Sequence, residues 1–317
     1  MSVTTVSDSL SGNGRLPAET RQRVRVIAAE LGYRPSAAAR SLVGSRTGLL
    51  LMSVAAPGTQ TSSLWSIDFF VNIMTAAAIQ ASTQGYALAL SPKSVPPNLS
   101  YDGAIVVDPT EDNDLLAQAR RDGTPIVTIG RNTDGHPWVD NDYPTIIPAT
   151  LDHFHAEGAR RPALLASDPA TPYVQDTVEQ YTAWCESHSC APHVAYVDEG
   201  ITEASGRHAA ARLLSSDARP DAVLATLDHL ALGVTTAVDE LGWSVPNDVM
   251  VASLGDSAMI THSRVPITAL DLAPDQMGGL AVDMLIARIE TGKASPNRVV
   301  PGRLVPRASS QRQKFSP

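Results

Sequence analysis

From residue 47 onward, short and nearly continuous apolar runs alternate with amphipathic stretches. Leu49–Met52, Ala87–Leu90, Ala104–Val107 and Pro125–Ile129 form a first set, with helical patterns near 66–84 and 112–122. Ala163–Ala166, Val194–Val197, Ala222–Ala225 and Val249–Ala252 form a second, separated by helical patterns near 173–188, 202–215 and 227–241. Runs that are apolar at every position, not at every second one, belong to parallel strands covered on both faces. Their alternation with helices predicts an α/β fold, and two sets predict two doubly wound subdomains. A last helix at 274–291 carries Met277, Leu280, Ala281, Met284 and Leu285 on one face. In open parallel sheets ligands sit beyond the carboxyl ends of the strands. Two such subdomains facing one another make a cleft that closes about a hinge.

The first 46 residues follow another pattern. Val3, Val6 and Leu10 recur at helical spacing, and Gly12-Asn13-Gly14 ends that segment. Pro17 suits the first turn of a second helix, where Val24, Ile27, Ala28 and Leu31 form the apolar stripe and Gly32 the stop. Ser36–Leu42 can make one or two further turns before Gly44.

Charge separates the same two regions. Residues 1–47 hold seven arginines (15, 21, 23, 25, 34, 40 and 46) against Asp8, Glu19 and Glu30, a net +4. The whole chain is −9, so the remainder carries −13. A basic arm on an acidic body suits a DNA reader, because arginine neutralises phosphates and releases counterions; a merely solvated face explains the charge as well. The length of 317 residues calls for two or three folding units.

Other classes find little support. No run approaches the roughly 20 apolar residues of a membrane helix. The start, Met1-Ser2-Val3-Thr4-Thr5, lacks a leader pattern, so the expected location is the cytoplasm, with no membrane partner. Cys185 and Cys190 are too few for structural zinc and are expected to be free thiols, with no metal site. No Gly-Lys-Ser/Thr phosphate loop, dinucleotide fingerprint or nucleophile elbow occurs. His153 and His155 lie two apart on a helix and so point in different directions. Neither an enzyme nor a cofactor is expected.

Ser2-Val3-Thr4-Thr5-Val6-Ser7, Gly12-Asn13-Gly14-Arg15, Thr20-Arg21-Gln22-Arg23-Val24, Leu31-Gly32-Tyr33-Arg34-Pro35 and Ala39-Arg40-Ser41-Leu42 stand in the order and spacing of the lactose-repressor (LacI/GalR) family, which this run resembles. Weaker landmarks continue to about residue 305: Tyr101-Asp102-Gly103, Val139-Asp140-Asn141-Asp142, Pro220-Asp221-Ala222 and Pro246-Asn247-Asp248-Val249.

The resemblance implies a small all-α DNA-binding headpiece (1–34, a partial helix-turn-helix) and a hinge helix or linker (35–46). It implies a periplasmic-binding-protein-like core over 47–305 and a flexible tail at 306–317. The subdomains would be about 47–148 with 272–295, and about 149–271 with 296–305. Residues 2–11 would be the recognition helix, with Val3 and Thr4 reading bases and Ser2 and Ser7 holding phosphate. Arg15, Tyr33 and Ala38 fall on the family's other DNA-facing positions. Leu42 would wedge into the minor groove, or else anchor a linker. The implied protein is a homodimeric repressor on double-stranded operator DNA, controlled by a sugar-like effector in the cleft.

Three departures qualify this. The family's first helix precedes the turn at which this sequence starts, so the native start is expected further upstream, with a GTG valine codon at position 1 taken as the start and read as Met1; without that helix the chain would be a small-molecule sensor that does not bind DNA. Asp8 stands where many relatives carry Arg, and can accept from cytosine instead of holding phosphate. In the effector site, Trp65, Phe69 and Phe70 lie where relatives stack a ligand ring. The usual arginine position falls near Thr177, the Asn-Asp pair reads Leu227-Asp228, and the Gly-Asp motif reads Leu254-Gly255-Asp256. Asp228 and Asp256 can accept hydrogen bonds and Arg131 can supply charge. The same residues also read as structural: the phenylalanines as core, the carboxylates as helix caps.

Overall fold

In the computed structural model, the described residues are 5, 6, 9, 16–31, 46–54, 67–91, 99–110, 113–198 and 200–312. The chain divides into two compact units, Met1–Gly48 and Leu49–Pro317. In the first, helix α1 (Ala18–Glu30) begins just after Pro17, whose carbonyl accepts from the Arg21 amide. Of its apolar stripe Val24 is buried, while Ile27 and Leu31 stay exposed, Leu31 at 77%. The stripe read from the sequence is thus only partly covered.

The second unit holds two six-stranded sheets. The first comprises β1 (Leu49–Val54), β2 (Ala87–Leu90), β3 (Gly103–Val107), β4 (Ile126–Ile129), β5 (Trp138–Asn141) and, from far along the chain, β11 (Arg298–Val300). Their order is β11-β5-β4-β3-β1-β2, all parallel. The second comprises β6 (Pro162–Ala166), β7 (Val194–Tyr196), β8 (Ala222–Ala225), β9 (Met250–Leu254), β10 (Thr268–Asp271) and β12 (Arg303–Val305). Its order is β12-β10-β9-β8-β6-β7, with only β12 antiparallel.

Continuous apolar strands are explained by what covers each face. Leu50, Met52, Ile105 and Val127 pack with α2 (Asp68–Thr83) and α9 (Pro274–Thr291). The alternate residues Leu51, Ala104, Val106 and Ile126 pack with Leu115, Leu116 and Ala119 of α3 (Asp114–Asp122). In the second sheet Ala163, Leu165 and Val223 join α6 (Glu203–Leu214) and α7 (Asp228–Glu240), while Leu164, Leu224 and Met250 join α4 (Tyr143–Ala156) and α5 (Pro172–Ser187). A short α8 (Ala258–Thr261) follows β9. Local chemistry sets the helix ends. The Asn113 side chain accepts from the Leu115 and Leu116 amides, and Thr202 and Ser205 form a capping box on α6. A Cβ at Gly233 would lie 2.4 Å from the Arg207 amide nitrogen, so glycine there permits the close approach of α6 and α7.

The chain passes between the sheets at three places: from β5 to α4, from β10 to α9, and from β11 to β12. The buried Asn141 ends β5, and its amide nitrogen donates to the Leu272 carbonyl (2.9 Å) and to the Val300 carbonyl (3.2 Å). One side chain thereby ties all three crossings together.

Two boundaries differ from the sequence reading. Residues 298–300 belong to the first sheet, not the second, because they pair in register with Val139–Asn141; the return to the second sheet starts only at Arg303. The tail after 305 is not loose through residue 310. Ser309 and Ser310 are buried in a 3-10 turn, where the Ser309 hydroxyl donates to the Val251 carbonyl and accepts from the Thr268 amide. Residues 313–317 lie outside the described ones.

Replacing Asn141 by alanine removes both donated hydrogen bonds at the crossings. The expected cost is about 1–3 kcal/mol, read as a lower urea midpoint with an unchanged slope. A midpoint equal to the parent's would show that the crossings do not depend on this amide.

Candidate functional site

The carboxyl ends of the first sheet's strands deliver three charged side chains to the cleft. Asp108 directly follows β3, Arg131 comes two residues after β4, and Asp140 is the penultimate residue of β5. From the opposing subdomain α5 contributes Tyr173 and Asp176, and the end of β8 contributes Thr226 and Leu227. Pro172 stands in the first turn of α5, and it lines the cleft together with Pro109, which follows Asp108.

Two adjoining cavities result. The inner one has a volume of about 20 Å³, room for one water-sized group. Its walls are mainly apolar, with Phe69, Phe70, Tyr143, Tyr173, Leu254 and Met277 around Asp108 and Asp140. The outer one has a volume of about 450 Å³ and a mixed lining, with Arg131, Asn132, Thr133, Gln175 and Asp176 beside Pro109, Leu116 and Pro172. That size falls in the ordinary range of small-molecule sites.

The electrostatics of the inner cavity are unusual. Asp108 is 8% exposed, and among the described residues its carboxylate has neither a hydrogen bond nor an ion pair. Burial, with the like charge of Asp140 adding to it, pushes its pKa up to about 8. Asp140 is buried too and is raised to about 7 by burial, although it accepts from the Asn141 amide and has Arg131 at 3.5 Å. Arg131 also stands 3.6 Å from Asp176, whose pKa burial raises, and its guanidinium lies 5.8 Å from the centre of the Trp138 ring. The Tyr173 hydroxyl pairs with Ser167 at 2.6 Å, and burial holds both Tyr143 and Tyr173 as phenols.

The residues expected from the sequence fall into three groups. Phe69 and Phe70 line the inner cavity, packed edge to face at 5.6 Å, and Arg131 lines the outer one. Thr177, Asp228 and Asp256 line neither. Thr177 is fully buried and its hydroxyl donates back to the Tyr173 carbonyl. Asp228 opens α7, accepts from the Ser253 hydroxyl at 2.6 Å and crowds Gly255, where a Cβ would lie 2.9 Å from its carboxylate. Asp256 is held by the Arg307 guanidinium at 2.6 and 2.9 Å. Trp65, and the DNA-facing Ser2, Val3, Thr4, Ser7, Asp8, Arg15, Tyr33, Ala38 and Leu42, lie outside the described residues. Asp108, Asp140, Tyr143 and Tyr173 escaped the sequence reading. The available signal was an acid directly after a continuous apolar strand, Ile105-Val106-Val107-Asp108.

Comparison with known proteins bears on both units. Residues 1–36 match the bacterial regulatory proteins of the lacI family, and residues 151–310 match a periplasmic binding protein-like domain. The HTH-type transcriptional regulator AscG of Escherichia coli is 27% identical over 328 aligned positions, covering 98% of this chain and 95% of the relative. The lactose operon repressor of Rhizobium radiobacter is 30% identical over 112 positions, covering 35% of this chain and 99% of the relative. Among solved structures, the lac repressor dimer bound to operator and an anti-inducer superposes with a TM-score of 0.82 at 20% identity, covering 98% of this chain and 96% of that one. At that identity the likeness carries the fold. Among the described residues no helix is long and apolar enough to cross a membrane.

Asp108 gives a pH signature. Its folded-state pKa, about 8, lies above the roughly 3.9 of an unfolded aspartate. Its contribution to stability is therefore complete below about pH 4 and is lost as pH rises through about 8. Asp108→Asn cannot ionise, so it should melt several degrees above the parent at alkaline pH, with the gap closing steadily towards about pH 4. A gap independent of pH in thermal melts would mean that Asp108 ionises normally.

Proposed function

The chain belongs to the LacI family of bacterial regulatory proteins, and from that premise we propose that it is a dimeric transcriptional repressor whose hold on operator DNA is set by a small molecule bound in the cleft. The observation that carries this reading is the union, in one chain, of a lacI-type segment at 1–36 with a two-sheet core whose strands open into a cavity. The relatives are regulators, which favours a binding protein over an enzyme, acting in the cytoplasm where operator DNA is found.

In this reading Val3 and Thr4 meet base edges, Ser2, Ser7 and Arg15 hold phosphates, and Leu42 enters the minor groove from the hinge segment at 35–46. A hinge of about eight residues is too short to hold a helix alone, so DNA and the partner copy would have to form it. The effector, a sugar or related metabolite, sits among Phe69, Phe70 and Arg131. It changes DNA affinity by preferring one state of cleft closure, and the coupling is reciprocal.

Fluorescence anisotropy with duplexes from the DNA flanking this gene tests the reading. The full chain should prefer its site over random duplex by about a thousandfold or more, with affinity falling steeply as salt rises. Thr4→Ala should cost about 1–3 kcal/mol on the specific site and little on random DNA, whereas Arg15→Ala should weaken both alike. Flanking DNA bound no better than random duplex would leave a small-molecule sensor without operator binding.

A further inference from the structure

The charge balance of the inner cavity narrows the class of ligand. Asp108 and Asp140 both line it, one from the end of β3 and one from β5, with Asp176 just outside on α5. Arg131 is the basic group beside them. It already lies between Asp140 and Asp176, at 3.5 and 3.6 Å, with its side chain 44% exposed towards the outer cavity. Among the described residues, one guanidinium stands beside three carboxylates, which leaves them short of positive charge. The deficit falls on Asp108, which is buried, faces the cavity and has no hydrogen-bond or ionic partner among the described residues. A buried polar group left without a partner calls for an explanation, and a missing ligand is one.

Two further properties point the same way. The cavity admits one water-sized group, the size of an ammonium head. Its walls carry four aromatic rings, those of Phe69, Phe70, Tyr143 and Tyr173, and aromatic rings beside carboxylates attract cations. A hydroxyl group could exchange hydrogen bonds with the protonated acids but would not hold them ionised. An ammonium has three donors, enough for both carboxylates, and supplies the missing charge.

We propose that the effector of this protein carries a protonated amine, seated between Asp108 and Asp140 and walled by Phe69, Phe70, Tyr143 and Tyr173. This rests on the cleft being the effector site. The groups facing Asp108 are Asp140 from β5, Tyr143 from α4 and Tyr173 from α5, with Asp168 acting on Tyr173; Arg131 and Asp176 lie further out. Burial keeps protons on Asp108 and Asp140 into the neutral range. A cation must displace them, so its binding releases protons and strengthens as pH rises.

The test uses the full chain and calorimetric titration with propylammonium against the neutral propan-1-ol, at about pH 6 and about pH 9; an alkylammonium stays charged over that range, as lysine does. Propylammonium should bind with proton release and at least about tenfold more tightly at the higher pH, while propan-1-ol shows no saturable binding. Asp108→Asn, checked for folding by its thermal melt, should weaken propylammonium by about tenfold or more. Propan-1-ol binding as well as propylammonium, or an affinity for propylammonium unmoved by Asp108→Asn, overturns the proposal. Operator affinity measured alongside separates it from the broader reading. If lactose binds and shifts operator affinity while propylammonium does neither, the amine falls and the regulator stands. If propylammonium binds as expected but no flanking DNA does, the amine site stands and the operator-binding reading falls.

Discussion

Three segments of chain run between the two sheets, and the side-chain amide of Asn141 holds them side by side. Its acceptors, the carbonyls of Leu272 and Val300, lie 131 and 159 residues further along the chain. The geometry of the cleft follows from this junction. Each sheet is a finished unit with helices on both faces, so the relative placement of the sheets is decided where the backbone joins them. Interiors packed on both faces do not deform smoothly. Any relative movement of the two sheets would have to be absorbed at the crossings, and Asn141 is a buried donor common to all three.

Around the same cleft, four aspartates show how one residue type can serve opposite ends. Asp256 is neutralised by Arg307, and Asp228 accepts from Ser253; both brace the carboxyl ends of β8 and β9 from within their own subdomain. Asp108 and Asp140 have far less compensation and sit at the cavity wall. Removing a carboxylate from water is costly unless it is paired or protonated, and here burial drives protonation. Satisfied acids hold the scaffold together. Asp108, which has no such partner among the described residues, stands at the wall of the cavity instead.

That distinction explains what the sequence did and did not disclose. The strands β1, β3, β4, β6, β8 and β9 were legible because two-sided burial writes itself as an unbroken apolar run. The strands β5, β10, β11 and β12 were not. They have three or four residues, mix polar with apolar positions, and exist because a distant neighbour offers a ladder to join. The docked tail failed for the same reason, since Ser309 and Ser310 are held by Val251 and Thr268, about 40 to 60 residues away. At the site, Phe69 and Phe70 were found through the family resemblance and do face the cavity. Thr177 stands at the position expected to grip a ligand, but its helical phase turns it into the core. No local pattern separates Asp108 from Asp256, because partnership is a tertiary property.

The hinge and the cavity meet on one strand. Asp140 faces the cavity and the next residue, Asn141, holds the crossings; successive side chains of a strand point to opposite sides, so neighbours can serve both. The two are also bonded directly, the Asn141 amide donating to the Asp140 carboxylate at 2.8 Å. A backbone donor holds an ionised carboxylate more strongly than a protonated one. Whatever fixes the charge of Asp140 therefore acts, one peptide bond away, on the residue that joins the two halves of the cleft. Under the proposed function, a ligand in the cavity and the crossings between the sheets would meet at these two adjacent residues.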